Sequence, residues 1–287
     1  MEVVEENGQS TVNEWFHISH TERFAKQDVM ERLIKQIMLH SDVYWNLHKI
    51  TDNIDYNDPI ARIAYLYVYI PLHTRLIQEA LETWDRENNQ AAVKLFNTNR
   101  SICCIGGGPG SDILGILRYI YNNCIQIPRL TFYIFDRMYH WQSEWVDIWN
   151  ELDNTHTTMM YHLFDINVET NAVFDSFFDR FDIFTLIKFW SSIFTSHISK
   201  NNLKMILSWA KTGAYIIYVD YGHIMFTTSF ITLMCTSGWS IVFRKHSEKE
   251  KLFNDEQISY FMEYHVFLGP RVLLFGPDID VIVFQKI

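Results

Sequence analysis

Apolar positions in the first third of the chain recur at helical spacing. Between Glu22 and His40 they fall at Phe24, Val29, Leu33 and Ile37, one face of an amphipathic helix. Asp58-Pro59 then opens a second helix, with Asp58 placed as its N-cap, and the run continues through Tyr65, Tyr67, Tyr69 and Leu72 towards Trp84. Pro71 lies inside this run and predicts a kink or a break. Residues 85–99 are polar and rich in Asn, with a short helix expected over 91–96.

Past Arg100 the period changes. Short β-branched or aromatic runs at residues 101–105, 130–135, 159–164, 181–186 and 214–219 alternate with helix-compatible segments. That rhythm predicts a parallel sheet with helices on both faces. Residues 239–243 and 279–285 add two strands, the last one reversed. The expected architecture is therefore α/β: a doubly wound, mostly parallel seven-stranded sheet with an N-terminal helical cap. Its expected division is a flexible tail at 1–14, a cap or lid at 15–99, and the α/β domain at 100–287.

Composition narrows the partners. No run approaches a membrane span, since the most hydrophobic one, residues 60–81, carries Arg62, His73 and Arg75. The acidic first ten residues read as neither a signal nor a transit peptide. Cys103, Cys104, Cys124 and Cys235 lack metal-ligand spacing, so no metal is expected. Reduced core cysteines imply a cytoplasmic or nuclear address. The net charge of −10, with basic residues scattered, disfavours nucleic acid unless a local groove is positive. Aromatic residues make up 16% of the chain, enough to line a pocket for a flat or cationic acceptor as well as a core.

The decisive segment is Ser101-Ile-Cys-Cys-Ile-Gly106-Gly107-Gly108-Pro-Gly110-Ser-Asp112, an apolar strand running through a glycine loop into a helix. Glycines let a ligand approach backbone amides, and the helix start offers free N–H groups. A phosphate loop needs Gly-Lys-Ser/Thr at its end, but Ser111 and Asp112 follow Gly110. A dinucleotide fingerprint needs a sixth-place glycine, where this chain has Ser111. Asp112 beside the helix start suits an uncharged or cationic ligand better than a pyrophosphate. Gly106-x-Gly108-x-Gly110 instead resembles motif I of the class I S-adenosylmethionine-dependent methyltransferases, whose fold is a Rossmann-like seven-stranded sheet.

Two acids follow in order. Asp136 ends the second predicted strand, where a carboxylate can accept both ribose hydroxyls. Asp165 ends the third, where the resemblance implies a contact with the adenine amino group. Asp136-Arg137 followed by Trp141 and Trp145 is also similar to a eukaryotic branch that includes fungal ribosomal-RNA uracil-N3 methyltransferases. The cofactor set implied is Gly106, Gly107, Gly108, Gly110, Asp112, Asp136, Arg137 and Asp165. One position departs from the family: many members carry an acid two residues before the first glycine, where this chain has Cys104. Which residue then organises the loop and the amino group of the cofactor is left open.

On the acceptor side, Lys188-Phe-Trp190-Ser191 follows the fourth strand and lacks the Asp/Asn-Pro-Pro pattern of adenine amino methyltransferases. Aligned methyl transfer needs little acid–base help unless the acceptor carries a proton. Lys188, Ser191 and His223 are the candidate catalytic residues, and Tyr65, Tyr69 and Trp190 the candidate acceptor wall. Cys235 is expected in a helix core. The acceptor is a small molecule or RNA, with a basic surface from Arg62, Arg118, Lys188 and Arg244 required for RNA. Two other classes stand beside this one: a catalytically silent S-adenosylmethionine-binding sensor or interaction subunit, and a nucleotide-dependent oxidoreductase.

Overall fold

A computed structural model describes residues 26–45, 54–125, 129–151, 157–168, 177–247 and 278–287. The expected tail at 1–14, and Phe24, lie outside these. The helical period forms α1 (Lys26–Trp45), α2 (Pro59–Glu87) and the short α3 (Ala91–Phe96). Asp58 caps α2 as expected, its side chain accepting from the Ile60 N–H at 3.0 Å. Leu33 and Ile37 of α1 are buried, while Val29 stays exposed. Pro71 does not break α2, which is assigned as one helix to Glu87. Val68, Leu72, Leu76 and Ile77 around it are buried, and that packing outweighs the hydrogen bond a helical proline forfeits.

Seven strands follow: β1 (Arg100–Ile105), β2 (Leu130–Asp136), β3 (Thr157–Leu163), β4 (Ile183–Ile187), β5 (Tyr215–Tyr221), β6 (Trp239–Ser247) and β7 (Ile279–Lys286). Between them lie α4 (Ser111–Asn122), α5 (Trp141–Glu151), α6 (Trp190–Ile193), α7 (His197–Ser208) and α8 (Ile224–Cys235). The sheet order is β3-β2-β1-β4-β5-β7-β6, with β1 to β5 parallel and β7 antiparallel to both β5 and β6. Chain direction across the sheet reverses between β1 and β4, which opens the crevice where such sheets take ligands. β6 runs four residues past its expected end, with an irregularity between Ile241 and Phe243.

Both faces of the sheet are covered, so the central strands read as unbroken apolar runs. Ile102 and Cys104 of β1 share one core with Phe132, Ile134, Val219 and Val283, under α1, α2 and α4. Cys103 and Ile105 face the other, aromatic-rich core with Phe135, Phe184, Tyr218 and Phe284, under α7 and α8. On the first face α2 packs against α4 through Gly115, where an added Cβ would lie 2.7 Å from Ile77 Cβ and 2.8 Å from the Thr74 carbonyl. Cys103 and Cys104 are buried as expected, but Cys124 and Cys235 are exposed. Cys235 is the last residue of α8, whose buried positions are Thr227, Phe230 and Met234. Among the described residues no helix is long and apolar enough to cross a membrane.

Candidate cofactor and acceptor site

The glycine loop leaves β1 at the switch between β1 and β4. The Gly106 N–H extends the ladder to the Phe135 carbonyl at 2.8 Å, and Gly110 closes a turn onto the Gly107 carbonyl at 2.8 Å. Gly108 and Gly110 adopt φ of +49° and +85°, a left-handed backbone that side chains disfavour. The loop is closely packed from behind. Added Cβ atoms would strike Phe189 at Gly106, Cys104 at Gly107 and Trp145 at Gly110. At Gly108 nothing lies nearer than 3.9 Å, and the nearest atoms there are Asp136 Oδ2 and Trp141 Nε1.

Asp136 is fastened to this loop by the backbone. Its Oδ2 accepts from the Gly108 N–H at 3.0 Å and its Oδ1 from the Met138 N–H at 2.9 Å. Burial raises its pKa, and these two bonds, with Arg137 alongside, pull against the rise. Asp165 lies two residues past the end of β3, and its Oδ1 accepts from the N–H and the side-chain amide of Asn167, each at 2.9 Å. It therefore closes a local turn. The Phe164 N–H reaches the Asp136 carbonyl at 2.8 Å, which keeps the ends of β2 and β3 together. A cavity of about 190 Å³ opens beside them, lined by Phe135, His162, Leu163, Phe164 and Phe177.

Asp112, in the first turn of α4, is buried. It accepts from the Thr185 hydroxyl of β4 and more distantly from the Ser111 hydroxyl at 3.4 Å. Burial pushes its pKa up to about 7. Thr185 is the register partner of Cys104, so the hydroxyl that holds Asp112 comes from the strand position beside Cys104.

Above the loop stand rings from the N-terminal helices and the segment between them. Tyr65 meets Trp141 at 5.2 Å between centroids and Tyr69 at 4.6 Å, while Tyr56 meets Trp141 at 5.9 Å and Tyr65 at 5.6 Å. Burial raises the Tyr65 hydroxyl pKa, and Asp136 and Asp112 both add to it, so this phenol stands near both carboxylates. The Tyr69 hydroxyl donates to the His40 carbonyl. Arg62 ties α2 to α5 through a buried 2.6 Å pair with Glu144.

The acceptor side is turned inwards. Lys188 has φ of +53°, and its ammonium lies 3.4 Å from the centre of the Tyr221 ring. Burial lowers the Lys188 pKa and raises that of Asp220, while their mutual attraction opposes both. After this left-handed residue Phe189 packs behind Gly106, and Trp190 is enclosed, its indole N–H donating to the Phe226 carbonyl at 3.0 Å. The Ser191 N–H donates to Asp220 at 2.9 Å. His223 caps α8, its Nδ1 accepting from the Met225 N–H at 3.3 Å, with its ring exposed. Of the four cations expected to form a basic surface, Arg62 is buried and the ammonium of the half-buried Lys188 is enclosed against Tyr221, so these two do not contribute to such a patch.

Sequence reading missed a polar group at the same end of the sheet. His246 Nδ1 lies 2.9 Å from Asp280 Oδ1, and the Thr227 hydroxyl donates to Asp280 Oδ2. Asp220, Asp280 and His246 are register partners across β5, β7 and β6. The His246 ring packs where a Cβ on Gly222 would sit. Ending β6 at Phe243 had hidden this alignment.

No protein-family model matches the chain, and no curated protein matches it. Solved structures do. A candidate RNA methyltransferase from Pyrococcus horikoshii is 11% identical, with 88% of this chain and 96% of that chain covered at a TM-score of 0.46. The N-methyltransferase NodS from Bradyrhizobium japonicum, in complex with S-adenosylhomocysteine, is 12% identical, with 85% and 98% covered at 0.44. The plantazolicin methyltransferase BpumL, also with S-adenosylhomocysteine, is 12% identical, with 90% and 99% covered at 0.43. These structures do not bear on the narrower resemblance to fungal ribosomal-RNA enzymes. The strand order and the reversed β7 are those of the doubly wound seven-stranded sheet expected from the sequence, with the glycine loop at its β1–β4 switch.

Proposed function

We propose that this chain is an S-adenosylmethionine-dependent methyltransferase acting on a small molecule. The observation that carries the cofactor assignment is Asp136. Its carboxylate is held at the end of β2 by the Gly108 and Met138 amides, beside the glycine loop, where it can accept from a ribose diol. In this reading Gly106, Gly107, Gly108 and Gly110 cradle the methionine half, Arg137 and Asp165 flank the adenosine, and Phe164 offers adenine a flat apolar surface. Tyr65 and Tyr69 form part of the acceptor wall, and Lys188, Ser191 and His223 border the acceptor. A small molecule is favoured over RNA by the aromatic cover on the loop and by the burial of Arg62 and of the Lys188 ammonium.

Calorimetry with S-adenosylhomocysteine, NAD and ATP side by side tests the assignment. S-adenosylhomocysteine should bind and raise the melting temperature, as any ligand selective for the native state does. Binding of NAD without S-adenosylhomocysteine would make the chain an oxidoreductase instead. One observation favours a second reading, a cofactor-binding protein without transfer: the segment after β4 points Trp190 and Lys188 into packed surroundings. Transfer of label from S-adenosylmethionine to a metabolite extract separates the two.

A further inference from the structure

Among the described residues, no cation faces the buried carboxylate of Asp112. Thr185 and Ser111 give it hydroxyls, and the ionisable groups facing it are Cys104 from β1, Asp136 from β2 and Tyr65 from α2. None of these is positive, and all three become negative when they ionise. A carboxylate withdrawn from water is costly unless an opposite charge meets it. Its position is equally specific. It stands in the first turn of α4, directly after the glycine loop, over the crevice between β1 and β4.

We propose that Asp112 is the counter-charge for the α-ammonium group at the methionine end of the cofactor, and that Thr185 orients its carboxylate for that contact. The inference rests on the cofactor reading above. Among the parts of S-adenosylhomocysteine only the ammonium is cationic, and the ribose is the partner of Asp136 one strand away. The carboxylate absent at Cys104 is thereby replaced from α4, held by Thr185, the register partner of Cys104 on β4.

The test compares S-adenosylhomocysteine with 5′-methylthioadenosine, which keeps the adenosine and sulfur but lacks the amino-acid end. Asp112→Asn should weaken S-adenosylhomocysteine about tenfold or more, the worth of a charged hydrogen bond, and leave methylthioadenosine unchanged. Equal losses for both ligands, or none for either, would overturn the proposal. The unmodified chain provides a second measurement. Its preference for S-adenosylhomocysteine over methylthioadenosine should grow from about pH 6 to about pH 8, as the carboxylate ionises in the empty site. Protonation of Asp136 affects both ligands and cancels in the ratio. A flat ratio would overturn the proposal without touching the cofactor reading, whereas failure of the unmodified protein to bind S-adenosylhomocysteine would overturn that reading itself.

Discussion

The two halves of the crevice hold their polar groups by different means. Around β1 and β2, Asp136 is fixed by backbone amides, and Gly108 faces space rather than protein. Around β4 and β5, Asp220 holds Ser191, Lys188 lies over Tyr221, and Trp190 is walled in. The first half is shaped before any ligand arrives, since main-chain donors need no rearrangement to present the carboxylate. The second half spends its polar and aromatic groups on its own packing. The N-terminal helices and the β5–β7–β6 edge, with its His246–Asp280 pair, bring further polar and aromatic groups to this end of the sheet.

The sharpest way to break this contrast is a pair of substitutions with opposite readouts. Trp190→Ala should cost about 3–5 kcal/mol of stability, as loss of a large core side chain does, with little change in S-adenosylhomocysteine affinity. Gly108→Val should do the reverse, abolishing affinity while urea denaturation still shows a folded protein. Its Cβ would sit 3.9 Å from Asp136 Oδ2 and from Trp141 Nε1, contact without a clash, so the main cost to folding is the left-handed backbone, about 1–2 kcal/mol or more for a β-branched residue. If Trp190→Ala removed cofactor binding as strongly as Gly108→Val, the two halves would be one.

A somewhat smaller effect separates the cap from the crevice by pH. Burial lowers the pKa of His40 to about 4 and that of His73 to about 3, from 6.5 in an unfolded chain. Below 6.5 the unfolded state binds protons that the native state refuses, so stability falls as the solution is acidified towards these values. Each histidine contributes on the order of 2 kcal/mol of this loss between pH 6.5 and about 5. Urea midpoints of the His40→Gln, His73→Leu double variant should show a shallower acid limb than the parent, whatever their absolute level. An identical slope would mean that neither imidazole is held neutral.

The smallest effect sharpens the cofactor half. Asp136→Ala should weaken S-adenosylhomocysteine more than Asp165→Ala, by roughly 1.5–3 kcal/mol for a charged acceptor facing two hydroxyls. Asp165 spends one oxygen on Asn167, so its loss falls on a local turn as well as a ligand. Equal and negligible losses would place the cofactor elsewhere.

What was legible in the sequence follows from distance along the chain. The strand, glycine loop and α4 are contiguous, and Asp136 closes an apolar run, so both could be read directly. Thr185 could not, since it meets Asp112 only through the pairing of β1 with β4. His246 and Asp280 come together through an antiparallel register that no local pattern encodes. The motif position of Trp190 after β4 is visible in the sequence and suggests an acceptor wall, while the left-handed turn at Lys188 that precedes its burial is not visible there. Pro71 misled in the opposite sense, as its local preference is overridden by neighbours supplied from other elements.

The close contact at Gly115 has a reach that its position conceals. α2 is one long rod, and Ile77, pressed against Gly115, lies twelve residues beyond Tyr65, about 18 Å along the axis. An alanine at Gly115 would wedge the rod outward at that fulcrum, and the displacement would be carried to the end bearing Tyr65 and Arg62. The spacing between the aromatic cover and the glycine loop is thus gauged partly by the absence of one methyl group in a helix beneath it, at a residue that meets no ligand.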